Sequence, residues 1–224
     1  MLPLNLGLPA RGPLTVLCLG AHADDIEIGC GGTILRLLGE RRRVLVHWVV
    51  LSGDATRARE ARRSASRMLR GAAAHHIRVE RFRDGFLPYE GTAVKEVFEE
   101  LKAAVAPDLV FTHGRDDRHQ DHRLVSDLTW NTFRDHLILE YEIPKYDGDL
   151  GHPNVFVPLG EGIRRRKVRI LMSAFPSQAR KRWYSPATFD GLMRLRGVEC
   201  GASEGYAEAF HARKLILNPA GRIA

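Results

Sequence analysis

The chain has 224 residues, of which 44% are hydrophobic and 27% charged, and a formal net charge of +7 at neutral pH. One domain with a sizeable core suits that length, and the composition excludes a disordered tail, a collagen-like fibre and a coiled-coil rod. Apolar stretches such as 44–46 and 49–51 fall far short of the roughly 18 residues of a membrane-spanning helix.

The first residues, MLPLNLGLPARGPLTVLCLG, are apolar but lack the basic start of a signal peptide, and they lead straight into a motif the protein needs. The expected location is therefore cytoplasmic. Cys18, Cys30 and Cys200 follow no paired spacing, which argues against a disulfide framework or a cysteine zinc site. Part of the basic excess lies in short runs at 41–43 and 164–167. Such runs usually cover solvated helix faces; the competing reading is a phosphate-bearing substrate.

Residues 14–20, LTVLCLG, form a continuous apolar run with β-branched members, as expected of a strand buried on both faces. A helix follows over 27–42, with Ile34, Leu35, Leu37 and Leu38 on its apolar side and basic residues at its end. VLVHWVVL at 44–51 repeats the strand pattern, 57–70 is helical, 76–82 is a short alternating strand and 94–105 is helical again. Strands at 108–112 and 137–140 flank a helix over 121–134. This alternation predicts an α/β fold with an open parallel sheet and helices on both faces, in a single domain over residues 1–224. Ligands in such sheets bind beyond the carboxyl ends of the strands, so chemistry is expected just after Gly20, Leu51, Phe82 and Thr112. After Glu142 the pattern loosens into a long loop rich in Gly, Pro and Asp. Helices over 163–175 and 186–195 and a last strand over 209–217 complete the chain.

Directly after the first strand stand His22-Ala23-Asp24-Asp25, then Glu27 and the cluster Gly29-Cys30-Gly31-Gly32-Thr33. A dinucleotide site is rejected, because G-x-G-x-x-G needs glycine at Ile34 and two carboxylates stand where a pyrophosphate would bind. The glycines instead let the helix approach the sheet closely. After the fourth strand comes His113-Gly114-Arg115-Asp116-Asp117-Arg118-His119-Gln120-Asp121-His122. Two His/Asp clusters at one crevice point to a metal. Zinc held by one imidazole from each segment and one carboxylate keeps a fourth position for water, as catalytic sites do. A neighbouring carboxylate then serves as general base. The blander reading makes the same residues turn and helix caps.

His22-Ala23-Asp24-Asp25-Ile26-Glu27-Ile28-Gly29-Cys30-Gly31-Gly32-Thr33, together with His119-Gln120-Asp121-His122, resembles the PIG-L/LmbE-like family of zinc-dependent de-N-acetylases, which act on N-acetylglucosamine-containing substrates. Gly53 with Arg57-Ala58-Arg59-Glu60, and Asp84-Gly85, resemble that family's loops after the second and third strands, while the C-terminal third resembles one bacterial branch. The resemblance implies a Rossmann-like, three-layer α/β/α fold on a mainly parallel sheet, and hydrolysis of an N-acetyl group to acetate and a free amine. It implies His22, Asp25 and His122 as ligands of Zn2+, with Fe2+ or another divalent ion also open, and Asp24 as general base. His119 would stabilise the oxyanion or protonate the leaving amine, with Asp121 holding its ring in the useful tautomer. Arg57 and Asp84 would contact substrate hydroxyls, a phosphate or a carboxylate. The implied partner is a small molecule or glycoconjugate bearing N-acetylglucosamine. Neither nucleic acid nor an integral membrane segment is expected, and a homo-oligomer stays open. One departure is Ala23, where the family has proline; the turn loses stiffness and the ligands stay.

Two other classes compete. A zinc amidase of another N-acyl or thiol conjugate would use the same residues. A non-enzymatic, basic nucleic-acid-binding module would account for the charge, leaves both clusters unexplained and predicts steeply salt-dependent oligonucleotide binding. Outside the clusters His47 reads as a hydrogen-bonded core histidine and Trp183 and Tyr184 as core packing; His211, and His113 at the head of the second cluster, have no assigned role. The loop over 146–162 is expected to select the group joined to the sugar.

Overall fold

The computed structural model describes residues 12–40 and 43–216. The N-terminal stretch weighed as a signal peptide, Arg41 and Arg42 of the basic run, and Leu217 of the last expected strand lie outside them. Continuous apolar runs become strands here because a sheet covered on both faces buries every side chain in turn. In β1, Leu14–Gly20, Val16 and Cys18 join one core layer while Leu17 and Leu19 join the other. The chain then alternates through α1 (Asp25–Glu40), β2 (Val44–Ser52), α2 (Ala55–Met68), β3 (Ala74–Phe82), α3 (Gly91–Ala104), β4 (Leu109–His113), α4 (Gln120–Thr132) and β5 (Leu137–Tyr141). It ends with β6 (Val155–Pro158), α5 (Glu161–Ala174), α6 (Pro186–Glu199) and β7 (Ala207–His211).

The result is the expected three-layer α/β/α architecture. Helices α1, α2, α5 and α6 pack on one face of the sheet, α3 and α4 on the other. Strand order is β3-β2-β1-β4-β5-β7-β6, parallel from β3 through β5. Three expectations are corrected. The loop after Glu142 contains β6, whose four residues give too short a pattern to read among prolines and glycines. The last strand starts at Ala207, ends at His211 and runs antiparallel between β5 and β6. Helix α1 starts at Asp25, two residues earlier than its apolar periodicity, so the motif's second aspartate lies in a helical first turn.

Strand β1 pairs with β2 on one side and β4 on the other. The chain leaves β1 towards β2 and leaves β4 towards β5, so the loops after β1 and β4 part at this point and open a crevice between them. Both His/Asp clusters run through those two loops into the first turns of α1 and α4. No helix of the described residues is long and apolar enough to cross a membrane, and the three cysteines are free.

The glycine cluster sets how close α1 sits to its neighbours. A Cβ on Gly29 would lie 2.2 Å from the Tyr141 ring, and one on Gly32 would lie 2.6 Å from Leu159 and 2.8 Å from the Glu208 carboxylate. Buried Glu208 accepts hydrogen bonds from Gly32 N (2.7 Å) and Thr33 N (2.6 Å). Its partner Lys167 is also buried and donates to Glu208 (2.7 Å) and to Ile28 O (2.6 Å), so α5 and β7 are tied to the backbone of α1. Alanine is worth about 1 kcal/mol over glycine in a helix interior, whereas overpacking a filled core costs about 1–3 kcal/mol or more. Gly29→Ala should therefore lower the urea midpoint; an unchanged or higher midpoint would mean that α1 can stand off Tyr141.

Candidate metal centre

The turn after β1 brings His22 back towards its own helix, with His22 N donating to Asp25 Oδ2 at 2.6 Å. From the other loop, His122 in the first turn of α4 reaches the same place. His22 Nδ1 lies 3.0 Å from His122 Nε2 and 3.2 Å from Asp25 Oδ2, and the last two atoms are 3.6 Å apart. A tetrahedral zinc site with bonds of about 2.0–2.1 Å has ligand–ligand edges of about 3.3–3.4 Å. The three atoms thus have the spacing of one face of such a site. Among the described residues, every group of three side chains able to hold a metal includes His22 or His122.

The outward nitrogens of both rings are on carboxylates. His122 Nδ1 is 2.9 Å from Asp117 Oδ2, and His22 Nε2 is 3.2 Å from both Asp121 Oδ2 and Asp84 Oδ1. Each carboxylate accepts a ring N–H, and this leaves His122 Nε2 with a bare lone pair turned to the centre. Carboxylates behind metal-binding imidazoles commonly fix tautomer and orientation in this way. Burial pulls the His22 pKa down, but the Asp25 charge and the hydrogen bonds to Asp121, Asp25 and Asp84 outweigh it and hold it well above its ordinary value. Burial, then the neighbouring His113, pushes His122 down to about 4. Burial also opposes ionisation of Asp25, yet His122, His22 and His113 hold its pKa well below the usual carboxylate range.

His113 is fully buried behind His122, ring stacked on ring at 3.9 Å. Its Nε2 accepts the Ala21 N–H bond at 3.0 Å, so that lone pair is engaged by backbone even though it lies 3.2 Å from Asp25. Asp24 stands beside the centre, buried, with Oδ1 bonded to the Arg57 guanidinium and Oδ2 without a hydrogen-bond partner. Burial raises its pKa, and the charge of Arg57 offsets only part of that. Arg57 also reaches Glu60 (3.1 Å) and Ser177 (3.3 Å). Its guanidinium is thus held by two protein carboxylates and a hydroxyl.

One expected pairing is absent. The Asp121 carboxylate does not face His119; it accepts from Gly85 N (2.7 Å) and Leu87 N (3.2 Å) as well as facing His22. Residues of the turn after β3 thereby compete successfully for it. His119 is the N-cap of α4, and its Nδ1 accepts from Asp121 N at 3.2 Å. The tautomer is still defined, by backbone: with Nδ1 accepting, a neutral ring carries its hydrogen on Nε2. The ring lies 4.7 Å from that of His22 and 4.6 Å from that of His122.

Residues 17–133, just over half of the chain and spanning both clusters, match the model of the family described as PIG-L, GlcNAc-PI de-N-acetylase. The chain belongs to the PIG-L family. Solved structures of similar fold include a conserved protein of Thermus thermophilus, with 21% identity, 94% of this chain and 100% of that one covered, and a TM-score of 0.73. N,N'-diacetylchitobiose deacetylase from Pyrococcus horikoshii, complexed with its inhibitor, is 23% identical over 88% of this chain and 83% of its own, with a TM-score of 0.64. The 4-carboxy-2-hydroxymuconate hydratase GalB from Pseudomonas putida is 17% identical over 94% and 100%, with a TM-score of 0.69. At these identities the likeness is one of fold, and the fold serves both a deacetylase and a hydratase.

In this PIG-L member the structure brings together every residue singled out from the sequence: His22, Asp24, Asp25, Arg57, Asp84, His119, Asp121 and His122. Sequence reasoning misses Asp117, although it stands inside the second cluster. Besides His122 it takes His119 N on Oδ1 (2.8 Å) and Lys145 Nζ on Oδ2 (3.0 Å). Its signal is its place two residues before the N-cap, where a carboxylate can bond the backbone of the turn. His47, expected as a hydrogen-bonded core histidine, instead stacks on His76 across β2 and β3 at 4.9 Å. Tyr184 is core, its hydroxyl donating to Leu171 O at 2.8 Å, and Trp183 packs against the same core.

Beneath the centre, Glu27 is fully buried with no hydrogen-bond partner for either carboxylate oxygen. Burial pushes its pKa from 4.5 up to about 8. The folded state then holds a proton that the unfolded chain releases, so stability is lost as pH rises from about 4.5 to about 8. Glu27→Gln removes that dependence. In chelator-treated protein its stability advantage over the wild type should grow between pH 5 and pH 8, towards about 5 kcal/mol at most. Equal pH slopes in parallel urea titrations would show that Glu27 ionises in place.

Proposed function

We propose that this PIG-L-family protein removes the N-acetyl group from an N-acetylglucosamine-containing small molecule or glycoconjugate, using a divalent cation held by His22, Asp25 and His122. The supporting observation is the meeting of three lone pairs from two loops at tetrahedral spacing, beside a buried carboxylate with one free oxygen. Two imidazoles and a carboxylate suit zinc, and Fe2+ is compatible with the same donors. The bound cation supplies Lewis-acid polarisation of the scissile carbonyl and of the attacking water.

Asp24 handles the proton. Arg57 fixes Oδ1, and Oδ2 accepts the proton of a water whose oxygen adds to the acetamide carbon. Burial strengthens that base by raising its proton affinity. His119 offers Nε2–H to the oxygen that gains charge, or to the amine nitrogen as the C–N bond breaks. The water's hydroxyl stays with acetyl as acetate and its proton leaves on the amine. Asp84, with a side chain 73% exposed, is placed at the mouth for a sugar hydroxyl. Arg57 we assign to orienting Asp24, in place of the substrate contact that the family resemblance implies. Membership of the PIG-L family, whose model is described as a GlcNAc-PI de-N-acetylase, supports the reaction class.

Acetate release from a panel of N-acetylglucosamine conjugates is the direct test, since a hydratase releases none. Asp24→Ala should keep zinc and lose activity by at least about 100-fold, whereas Asp25→Ala should lose the metal itself. Wild-type turnover in Asp24→Ala would remove the base assignment. Asp117→Asn keeps the shape and removes the charge behind His122. Chelator competition should show its zinc affinity about 10- to 100-fold weaker, and an unchanged affinity would mean that Asp117 only shapes the turn.

A further inference from the structure

We propose that Glu60 and Ser177 form a brace that holds the Arg57 guanidinium on Asp24, and so act as positioning residues for the base. The inference rests on the deacetylase reading above, which makes Asp24 that base. It gives the C-terminal third of the chain a part in the reaction. Ser177 lies in the turn Pro176–Gln178 between α5 and α6, outside the residues that match the family model.

Arg57 starts in the first turn of α2 and reaches Asp24 through a long side chain, which loses rotamer freedom when held in one place. One end of its guanidinium, Nη2, donates to Asp24 Oδ1. The other, Nη1, donates to Glu60 Oε2 at 3.1 Å and to Ser177 Oγ at 3.3 Å. With both ends fixed the planar group cannot turn, so it takes one oxygen of Asp24 and leaves Oδ2 for the water. The fully buried Phe175 ring lies 5.4 Å from the guanidinium carbon and comes from the same connection as Ser177.

The brace is itself fixed atom by atom. Glu60 is buried; its Oε1 accepts from Ser177 N at 3.0 Å and its Oε2 from Ser177 Oγ at 2.6 Å. A serine hydroxyl has one hydrogen and two lone pairs. The hydrogen goes to Glu60, and the lone pairs take Arg57 Nη1 and Gln178 Nε2, the latter at 3.1 Å. A polar network satisfied in this way specifies one geometry. Docking of α2 on α5 is provided for separately: further along α2, Arg63 donates to Ala174 O at 2.7 Å and Arg67 to Ser173 Oγ at 3.0 Å. Neither of those ties leads to the centre, whereas the one through Glu60 ends on Asp24.

The test measures kcat and KM for acetate release from N-acetylglucosamine and from N,N'-diacetylchitobiose. It uses zinc-loaded wild type, Glu60→Gln, Ser177→Ala, Arg57→Met, Arg57→Met with Glu60→Gln, and Arg63→Ala. Glu60→Gln should lower kcat about 10-fold, the size of a lost hydrogen bond between charges, with KM and zinc affinity within about 2-fold of wild type. Ser177→Ala should lower kcat about 3-fold. In the Arg57→Met background Glu60→Gln should cost nothing further, because its effect runs through Arg57. Arg63→Ala, which cuts a neighbouring tie between the same elements, should keep wild-type kcat. Unchanged kcat in Glu60→Gln, an additive loss in the double variant or an equal loss in Arg63→Ala overturns the brace while leaving the reaction in place. Should Glu60→Gln fail to fold, Ser177→Ala alone and combined with Arg57→Met decides in the same way. Release from neither sugar by wild type that holds zinc overturns the deacetylase reading. Crystal structures of wild type and Glu60→Gln then judge the brace: an Arg57 that leaves Asp24 in the variant supports it, and one that stays overturns it.

Discussion

Three lone pairs, on His22 Nδ1, Asp25 Oδ2 and His122 Nε2, face one another across 3.0–3.6 Å, and only a proton or a cation between them makes that arrangement favourable. Much of the molecule follows from keeping them there. An imidazole turns a lone pair inward only if its other nitrogen has an acceptor, which is why Asp117 and Asp121 stand behind the two rings. Those carboxylates need donors of their own, and they find them in backbone N–H groups of the surrounding turns and in Lys145. Buried charge is tolerated here because no member of the set is left without a counterpart.

The sheet supplies the meeting point and the helices supply the orientation. Adjacent strands lie under about 5 Å apart, so loops leaving β1 and β4 start close enough for single side chains to bridge them. Asp25 and Asp121 both lie in the first turn of a helix, where the macrodipole favours an anion. His119 closes the start of α4 with its ring and is thereby held in one tautomer. Capping and chemistry are not competing accounts of these residues. The bond that satisfies an orphan amide at the helix start is the bond that aims the side chain.

The strands and helices around the centre are legible in the sequence because each is a local pattern. Buried strands read as unbroken apolar runs, and the His/Asp clusters follow two of them directly. What escapes depends on contacts distant in sequence. Asp121 turns to His22 because the turn after β3, more than thirty residues earlier in the chain, offers it two amides. Arg57 reads as a hand extended to substrate until the fold brings α2 against Asp24. Strand β6 has four residues, and its partner β7 is about fifty residues later, so neither length nor spacing marks it. Asp117 is readable in principle. A carboxylate five residues before a ligand histidine, ahead of a helix start, can reach that ring across the turn.

The segment between β5 and β6 has no regular structure yet is clasped at both ends. Arg196 holds the Glu142 carboxylate with two bonds of 2.6 and 2.8 Å and also reaches Gly151 O at 3.1 Å. Lys145 and Asp149 fasten its middle to the turn that carries Asp117. A loop tied this way is a wall of the crevice and not a cover that closes over it, since opening would break a bidentate ion pair and strip Asp117 of its cation. Its outward side chains, Tyr146 and Leu150, take no part in the clasp. The inward half of the loop thus answers to the carboxylate behind His122.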